Sequence, residues 1–301
     1  LPLIVILAAV AMVIGLARPS ELVVIRAAGR SGLRFLAGPV LAAFVLGTAA
    51  VAVLNPLVAG MTREYQVLHA RLSRGSDSVL SISSSGLWLR QGGPGGQTVI
   101  QAARSDADGT RLYAVTFLTF SPDGLPLTRI EAAEARLTRG AWTLTEAKTW
   151  DLTTPNPERQ ARTEAAASLP SDLTPERIRD SFGNPSEIPF WDLPAYIARV
   201  EAAGFSARSH RVWLQMELAL PLLLAAMVLV AAGFTMRHAR VGQSGPWVLV
   251  AVLIGFAIFF LRNFAQVLGE NGQIPVVLAA WSPPVAAMLL SLGLLLHVED
   301  G

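Results

Sequence analysis

Residues 35–60 read FLAGPVLAAFVLGTAAVAVLNPLVAG and contain no charged side chain. A helix of ~20 mostly apolar residues crosses a ~30 Å hydrocarbon core, so this stretch is long enough to span a membrane. Four more stretches are nearly as apolar: 1–17, 218–236, 246–268 and 274–296. The chain is 52% hydrophobic, with a mean hydropathy of +0.47. These features predict a polytopic membrane protein with a helical bundle.

The stretch 1–17 is the shortest of the five, and a signal peptide is the alternative interpretation. No basic region precedes it, and no small-x-small cleavage site lies before the basic segment that follows. A membrane span is therefore favoured. Because the sequence begins with Leu1, we expect this span to be cut from a longer chain.

The distribution of arginine predicts the orientation of the spans. Arginines concentrate in two short connections, with Arg18, Arg26, Arg30 and Arg34 in the first and Arg237 and Arg240 in the second. The connection GENGQ (269–273) has none, so the positive-inside rule places it outside and the two arginine-rich connections in the cytoplasm. The long polar middle of the chain then lies outside as well. This order implies an outward span before residue 1, and six spans in the full protein.

The charge balance excludes a nucleic-acid-binding surface. Residues 62–211 carry 17 Lys+Arg and 17 Asp+Glu, so the net charge of +2 comes from the 7 basic and 5 acidic residues outside that range. A basic face for phosphate backbones is therefore not predicted. The chain has no cysteine, which removes disulfides and thiolate metal sites.

The polar middle has the alternation of an all-β domain. From about 78 to 153, short period-two runs such as RLYAVTFLTF (111–120) are separated by turn signals, including GGPGG (92–96) and SPDG (121–124). This pattern predicts a sandwich or jelly roll. Strict alternation would place Glu131 and Glu134 on opposite faces of one strand, so we do not expect a carboxylate pair there.

The end of the polar middle is predicted to be irregular and then helical. Residues 154–190 are rich in Pro, Ser and Thr, whereas 190–211 carry apolar residues at helical spacing, with Asp192 at the start and Gly204 as a stop signal. The predicted domains are spans with their connection in 1–60, a β domain in 61–189, a connecting helix in 190–211 and three spans in 212–301. The connecting helix either packs on the β domain or lies at the membrane interface, or it binds a ligand.

Signatures of catalysis are missing from the sequence. The one lysine, Lys148, is not preceded by the glycines of a phosphate-binding loop. The four histidines are far apart, no HExxH is present, and neither GRSG (29–32) nor GQSG (242–245) is a nucleophile elbow. We predict that the chain is not an enzyme, that it holds no metal and that it needs no cofactor.

Arg262 is the ionisable residue deepest in a predicted span, about two turns from its outer end. Such a charge is costly unless it reaches the headgroups or faces a partner or a wet cavity. Two interpretations remain open. Arg262 extends to the membrane surface, or it faces an internal cavity and meets an anionic group such as a phosphate.

The cytoplasmic segment RPSELVVIRAAGRSGLR (18–34) predicts one short amphipathic helix over 20–29. Ser20 suits its N-cap, Glu21 its first turn and Gly29 its end. Leu22 and Ile25 form one apolar face with the stems of Arg26 and Arg30. The helix is either a plain interfacial turn or a coupling helix that docks on a soluble ATPase.

Three parts of the sequence resemble the LptF/LptG (YjgP/YjgQ) permeases of bacterial lipopolysaccharide export. SELVVIRAAGRS (20–31) is similar to the family's cytoplasmic segment, and IEAAEARLTRGAWTLTEAKTW (130–150) is similar to a unit of its periplasmic β-jellyroll. FWDLPAYIARVEAAG (190–204), ALPLLLAAMVLVAAGF (219–234) and GQIPVVLAAWSPP (272–284) resemble its C-terminal half, closer to LptG than to LptF.

The resemblance implies one permease subunit of an ABC exporter in the inner membrane, with its β domain in the periplasm. Its partners would be a paralogous LptF-type permease, an LptB-type ATPase dimer that hydrolyses the ATP, and an LptC-type bitopic protein leading to a periplasmic bridge. It further implies that Ser20, Glu21, Leu22, Ile25, Arg26 and Arg30 contact the ATPase. Arg262 and Arg63 are the candidates for binding lipopolysaccharide.

Two other classes of function are weighed against the exporter. A membrane-anchored periplasmic scaffold or receptor would bind through its β domain, but it needs only one or two anchors. A membrane-embedded enzyme acting on lipid would need intramembrane Asp, His or Ser clusters, which the spans lack.

Overall fold

The computed structural model describes residues 1–17, 32–72, 80–83, 86–93, 96–180, 184–238 and 244–300. It divides into two compact units. The helical unit consists of 1–59, 189–191 and 208–301, and the β unit consists of 60–188 and 192–207. The predicted architecture, a helical membrane protein with an inserted all-β domain, is confirmed.

Eight α-helices lie in the described residues, and the longest of them follow the apolar stretches. The helices are α1 (Pro2–Ala17), α2 (Gly32–Ala49), α3 (Asn55–Leu72), α4 (Pro175–Asp180), α5 (Leu193–Ala202), α6 (Arg208–His238), α7 (Ser244–Glu270) and α8 (Val276–Asp300). A π-helical turn, Ala50–Leu54, joins α2 to α3, and short 3₁₀ turns lie at Pro157–Gln160 and Pro185–Glu187.

Four described helical segments are long and apolar enough to cross a membrane. They are Arg34–Tyr65, Arg208–Thr235, Gly245–Glu270 and Val276–His297, and the apolar helix Pro2–Gly15 is shorter. The third span therefore begins near 208, ten residues before the predicted start at 218. The first turns of this helix contain polar residues, so a search for apolar stretches did not include them.

Helix α6 forms the centre of the helical unit. It packs against α1, α2, α7 and α8. Its most apolar stretch is 83% buried, whereas that of α7 is only 17% buried. A helix that is apolar on all sides is expected either in a core or in lipid, and α6 takes the core position.

The β unit is one antiparallel sheet of seven described strands in sequential order. The strands are β1 (Leu80–Ser83), β2 (Gly86–Gly93), β3 (Gly96–Ser105), β4 (Arg111–Phe120), β5 (Pro126–Thr138), β6 (Ala141–Asp151) and β7 (Arg162–Pro170). Each strand pairs with its neighbour in sequence, so the predicted roll is a single meander. The sheet curls enough for the β2 side chain Gln91 to donate to the carbonyl of Pro170, at 3.1 Å, and to accept from Ser171 Oγ, at 2.7 Å.

The SPDG turn is confirmed, the tip of GGPGG (94–95) lies outside the described residues, and two predictions for 154–211 are wrong. SPDG closes the β4–β5 turn, with Gly124 N donating to the Ser121 carbonyl at 3.0 Å. The range 154–190 is not wholly irregular, because RTEAAASLP (162–170) forms β7. Its alternation is concealed by alanines, and its structure depends on pairing with β6.

The segment 190–211 is not one helix. It contains α5 and the start of α6, with a break at the predicted stop, Gly204. There φ is +94°, and a Cβ atom would lie 2.0 Å from the carbonyl oxygen of Ser105. Only glycine fits both the backbone conformation and the space.

A crease crosses the sheet at one level of five strands. The strand-to-strand pairing skips a residue at this level in each of these strands. The skipped residues on the crease are Ala103, Ala114, Ala133, Glu146 and Ala165. Ala114 and Glu146 have positive φ angles of 51° and 53°. These are left-handed conformations that residues with a Cβ adopt only at a cost in free energy.

The crease shifts the alternation of buried residues by one position in the four strands β3 to β6. Buried residues that would be two apart are three apart across it: Ala102 and Ser105, Leu112 and Val115, Ala132 and Ala135, and Leu144 and Ala147. The same face of the sheet therefore stays buried on both sides of the crease.

This shift makes the predicted separation of Glu131 and Glu134 wrong. Both lie on the outer face, because the one-position shift at Ala133 reverses the alternation between them. Each interacts with an arginine two residues away: Glu131 with Arg129, and Glu134 with Arg136, at 3.9 Å. The carboxylates are thus ion-paired on an exposed surface.

Lys148, the one lysine of the chain, lies on the outer face of β6. Its Nζ is 4.7 Å from the ring centre of Trp150 and donates to Glu158 at 2.6 Å. Glu158 also accepts from Trp150 Nε1 at 2.5 Å. The hydrogen bonds from Lys148 and Trp150 lower the pKa of Glu158, so Lys148 is part of a surface cluster of side chains.

The crease gives a matched test of backbone strain. We expect Ala114→Gly to raise the local stability of the sheet by about 0.5–1 kcal/mol, because glycine adopts a positive φ without a steric cost. Ala133→Gly, on the same crease but without a positive φ, is expected to lower it by about 0.5–1 kcal/mol. Amide hydrogen exchange of β4 and β5 in the full-length protein measures both. Equal destabilisation by the two substitutions would show that the left-handed backbone carries no strain.

Candidate functional site

Arg262 lies on α7, two turns before that helix ends at Glu270. Its side chain is half-buried within the helical unit. Its described charged neighbour is Glu217 on α6, which attracts the guanidinium electrostatically. The structure therefore places a carboxylate beside the arginine that the sequence singled out.

Glu217 is one of the few charged side chains in the core of the helical unit, with only 8% of its surface exposed. A buried carboxylate is costly unless a cation or hydrogen-bond donors stabilise it. Arg262 supplies the charge, and the side chain of Asn55 supplies a hydrogen bond. The three residues form a polar cluster made by α3, α6 and α7.

Asn55 is held in one orientation by the backbone. Its Oδ1 accepts a hydrogen bond from Phe190 N at 2.9 Å. Because the amide oxygen is used in this way, the Nδ2 group, which has only donors, is the part that faces the carboxylate of Glu217. Asn55 thus links the segment 189–191 to the buried carboxylate.

The π-helical turn at Ala50–Leu54 lies directly before Asn55. Asn55 N donates to the Ala50 carbonyl five residues earlier, as a π-turn requires. The Ala52 carbonyl accepts from Trp191 Nε1 at 3.0 Å. Such turns are often found at functional sites, and here the turn both orients Asn55 and receives the neighbouring tryptophan.

Arg208 fixes the register of α6 against α7. Its Nε donates to the Gly269 carbonyl at 2.6 Å, and its Nη2 donates to the Ile274 carbonyl at 2.7 Å. These bonds satisfy carbonyls at and after the end of α7, which a helix cannot satisfy by itself. They also fix which residues of α6 and α7 lie at the same level along the two helices.

Of the other predicted site residues, Arg63 is the one that the structure describes. Arg63 lies exposed on α3. Ser20, Glu21, Leu22, Ile25, Arg26 and Arg30 lie outside the described residues, as does the predicted helix 20–29. Within the described part of the chain, no group of three or more His, Cys, Asp or Glu side chains could hold a metal ion.

Sequence reasoning missed Asn55 and Arg208. Asn55 is a polar amide inside an otherwise apolar run, and Pro56 directly after it marks a disturbed helix. The Asn-Pro pair was therefore the signal in the sequence that could have revealed Asn55 as a site residue. The electrostatic attraction between Glu217 and Arg262 gave no signal in the sequence, because it depends on how two helices align.

Comparison with known families gives one finding that covers nearly the whole chain. The profile of the family described as "Lipopolysaccharide export system permease LptF/LptG" matches residues 1–297. Comparison with individually curated proteins gives no match. The family match includes the apolar helices and the β unit described above. The chain therefore belongs to the lipopolysaccharide export system permease LptF/LptG family, and is a multi-pass, non-catalytic permease subunit for lipopolysaccharide export.

Proposed function

We propose that this chain is one half of the membrane part of an ABC exporter that extracts lipopolysaccharide from the inner membrane. A paralogous LptF-type permease would be the other half, and the resemblance of 190–204, 219–234 and 272–284 to the C-terminal half of LptG supports the LptG side for this chain. The observation that carries the proposal is the family match over residues 1–297. The sequence has no phosphate-binding loop of its own, which is consistent with ATP hydrolysis by an LptB-type partner dimer.

The ATPase would dock on the cytoplasmic segment that contains the predicted helix 20–29. Glu21, Arg26 and Arg30 offer charged groups, and Leu22 and Ile25 an apolar face. Closure of the ATPase would then move α1 and α2, which flank this segment. The β unit would lie in the periplasm, where an LptC-type bitopic protein and a periplasmic bridge would receive the substrate.

The substrate's anionic groups would be met by arginines. A guanidinium binds phosphate through two parallel hydrogen bonds and keeps its charge when partly buried. Arg262 has that environment in the helical unit, and exposed Arg63 lies on a helix that continues a span. Both are therefore proposed to contact lipopolysaccharide.

Glu21→Ala tests the proposed coupling. We expect it to reduce the amount of ATPase that co-purifies with the permease by about tenfold, which corresponds to ~1.4 kcal/mol. The physical reason is the loss of a charged group at a protein interface. Envelope lipopolysaccharide should fall in parallel, as measured in cells that depend on the variant.

Glu64→Ala is the matched control, because Glu64 is an exposed glutamate on α3, outside the cytoplasmic segment. It should leave both readouts unchanged. If the unmodified protein brings down no ATPase and Glu21→Ala leaves lipopolysaccharide levels intact, the exporter proposal is wrong. The scaffold interpretation would then be preferred.

A further inference from the structure

We propose that Asn55 and Pro56 form a hinge in the span Arg34–Tyr65, and that residues 189–191 are a strap that holds this hinge in one conformation. Trp191 is the positioning residue of the strap, because its side chain supplies a hydrogen-bond donor that Pro56 lacks. The strap is inferred from hydrogen bonds and packing within the helical unit, which includes 189–191. The use of the hinge during transport rests, in addition, on the proposed function.

The backbone of the span is irregular at the hinge. In an α-helix each N–H donates to the carbonyl four residues earlier, but Asn55 N donates to the Ala50 carbonyl, five residues earlier. Pro56 comes next and has no N–H, so it cannot donate to the carbonyl of Ala52. Lipid offers no water to replace a missing donor, which makes an unpaired carbonyl costly in a span. The carbonyl of Ala52 is therefore open to a donor from outside the helix.

Trp191 provides such a donor. Its Nε1 donates to the Ala52 carbonyl at 3.0 Å, and an indole N–H can act only as a donor. The side chain is 65% exposed, which suits a tryptophan at the edge of a membrane, where one end of the ring is apolar and the other is polar. The bond thus offsets, from outside the helix, the donor that Pro56 removes.

Phe190 fastens the strap at a second point. Its N donates to Asn55 Oδ1 at 2.9 Å, and its side chain packs against the buried apolar cluster of which Val51 is a member. The rings of Phe190 and Trp191 meet edge to face, with their centres 5.2 Å apart. The strap therefore holds both the carbonyl of Ala52 and the side chain of Asn55, one on each side of the end of the π-helical turn.

The hinge lies where a movement of α2 would arrive. Prolines and π-turns are the usual causes of bends in helices, and hinges consist of a few residues that absorb a large change in backbone angles. The proposed docking segment for the ATPase precedes α2, and α2 ends at Ala49, directly before the π-helical turn. A displacement of α2 would therefore be absorbed at 50–56, where the strap resists it.

Hydrogen exchange in the full-length permease, held in lipid nanodiscs, tests the strap. Trp191→Phe keeps an aromatic ring and removes the donor, so the amides of 57–59 should exchange about fivefold to tenfold faster, the equivalent of one hydrogen bond. Pro56→Ala supplies a backbone N–H at the same point, so adding Trp191→Phe to it should change the exchange by less than about twofold. The same acceleration in both backgrounds would overturn the strap. No acceleration in either would also overturn it, and Trp191 would then be only an interfacial aromatic residue.

Pro56→Ala also tests the use of the hinge in transport. Alanine favours a regular helix, so this variant should be at least as stable as the unmodified permease and yet export about threefold less lipopolysaccharide, because a stiffened hinge moves less readily. Pro39→Ala is the matched control, since Pro39 lies inside α2 and outside the π-helical turn, and it should leave export unchanged. Full export by Pro56→Ala, or an equal loss in both variants, would overturn the hinge. If the unmodified permease exports no lipopolysaccharide, the proposed function is wrong and the hinge has no role in transport, whereas the exchange experiment decides on the strap independently.

Discussion

Replacing Trp142 by alanine lowers the free energy of unfolding of the β unit by about 3–5 kcal/mol, the usual cost of removing a large buried aromatic side chain. Trp142 lies on β6 with none of its surface exposed. Its ring packs edge-on against Phe117 of β4, with the ring centres 6.2 Å apart. Trp142 is paired with Leu137 of β5 and Leu169 of β7, so its removal affects both strands that flank β6.

Hydrogen exchange in the full-length protein measures the loss. Amides of β4 to β6 that open only with the whole sheet should exchange about a hundredfold to a few thousandfold faster, since 1.4 kcal/mol corresponds to a factor of ten. Trp142→Phe is the control, because it keeps an aromatic ring and removes an Nε1 group that has no hydrogen-bond partner in the described residues. We expect it to cost less than about 1.5 kcal/mol. Equal effects of the two substitutions would show that aromatic packing at this position does not stabilise the sheet.

The helical and β regions were predictable because each has a local pattern of apolar and polar residues. The spans are apolar stretches, and β4 has the same bounds as the alternating stretch 111–120. The crease was not predictable. It requires the same one-residue shift in several strands, and a single strand's pattern cannot reveal a feature that only pairing makes visible. The side assigned to Glu134 was wrong for this reason.

The same distinction between local patterns and packing applies to the residues of the candidate site. Arg262 was found from sequence because a charge in an apolar stretch is a local anomaly. Its neighbour Glu217 and the role of Asn55 depend on the packing of α3, α6 and α7, which residue spacing within one helix does not specify. Strand β7 was missed for a related cause, since an alanine-rich edge strand becomes a strand through its partner.

Gly47→Ala is expected to disturb the helical unit at the contact between α2 and α6. A Cβ atom on the buried Gly47 would lie 2.5 Å from Pro221 Cα and 3.1 Å from Pro221 N. Both are backbone atoms of a helix, so relief requires α2 and α6 to move apart, and not only a side chain to rotate. Carbon atoms pack best at ~3.5–4.0 Å, and overpacking of this kind costs about 1–3 kcal/mol.

The effect should extend to the polar cluster, because both partners carry cluster residues nearby. Glu217 is one helical turn before Pro221 on α6, and Asn55 lies eight residues after Gly47. A displacement at the glycine therefore changes the separation of Asn55 and Glu217. The temperature at which half of the purified permease loses its monodisperse state in detergent reports the loss of stability. Cysteines placed across the contact, in a chain that has none of its own, report the displacement through disulfide formation.

Gly38→Ala on the same helix is the matched control, because nothing lies within 4 Å of the position that its Cβ would take. Alanine favours a helix over glycine by about 0.5–1 kcal/mol, so this variant should match or exceed the stability of the unmodified protein. If both glycines tolerate alanine equally, then α2 and α6 do not depend on close backbone contact, and the position of Glu217 is set by the hydrogen bonds and charges alone. If only Gly47 is sensitive, close packing of the helices is what holds the buried carboxylate beside Arg262.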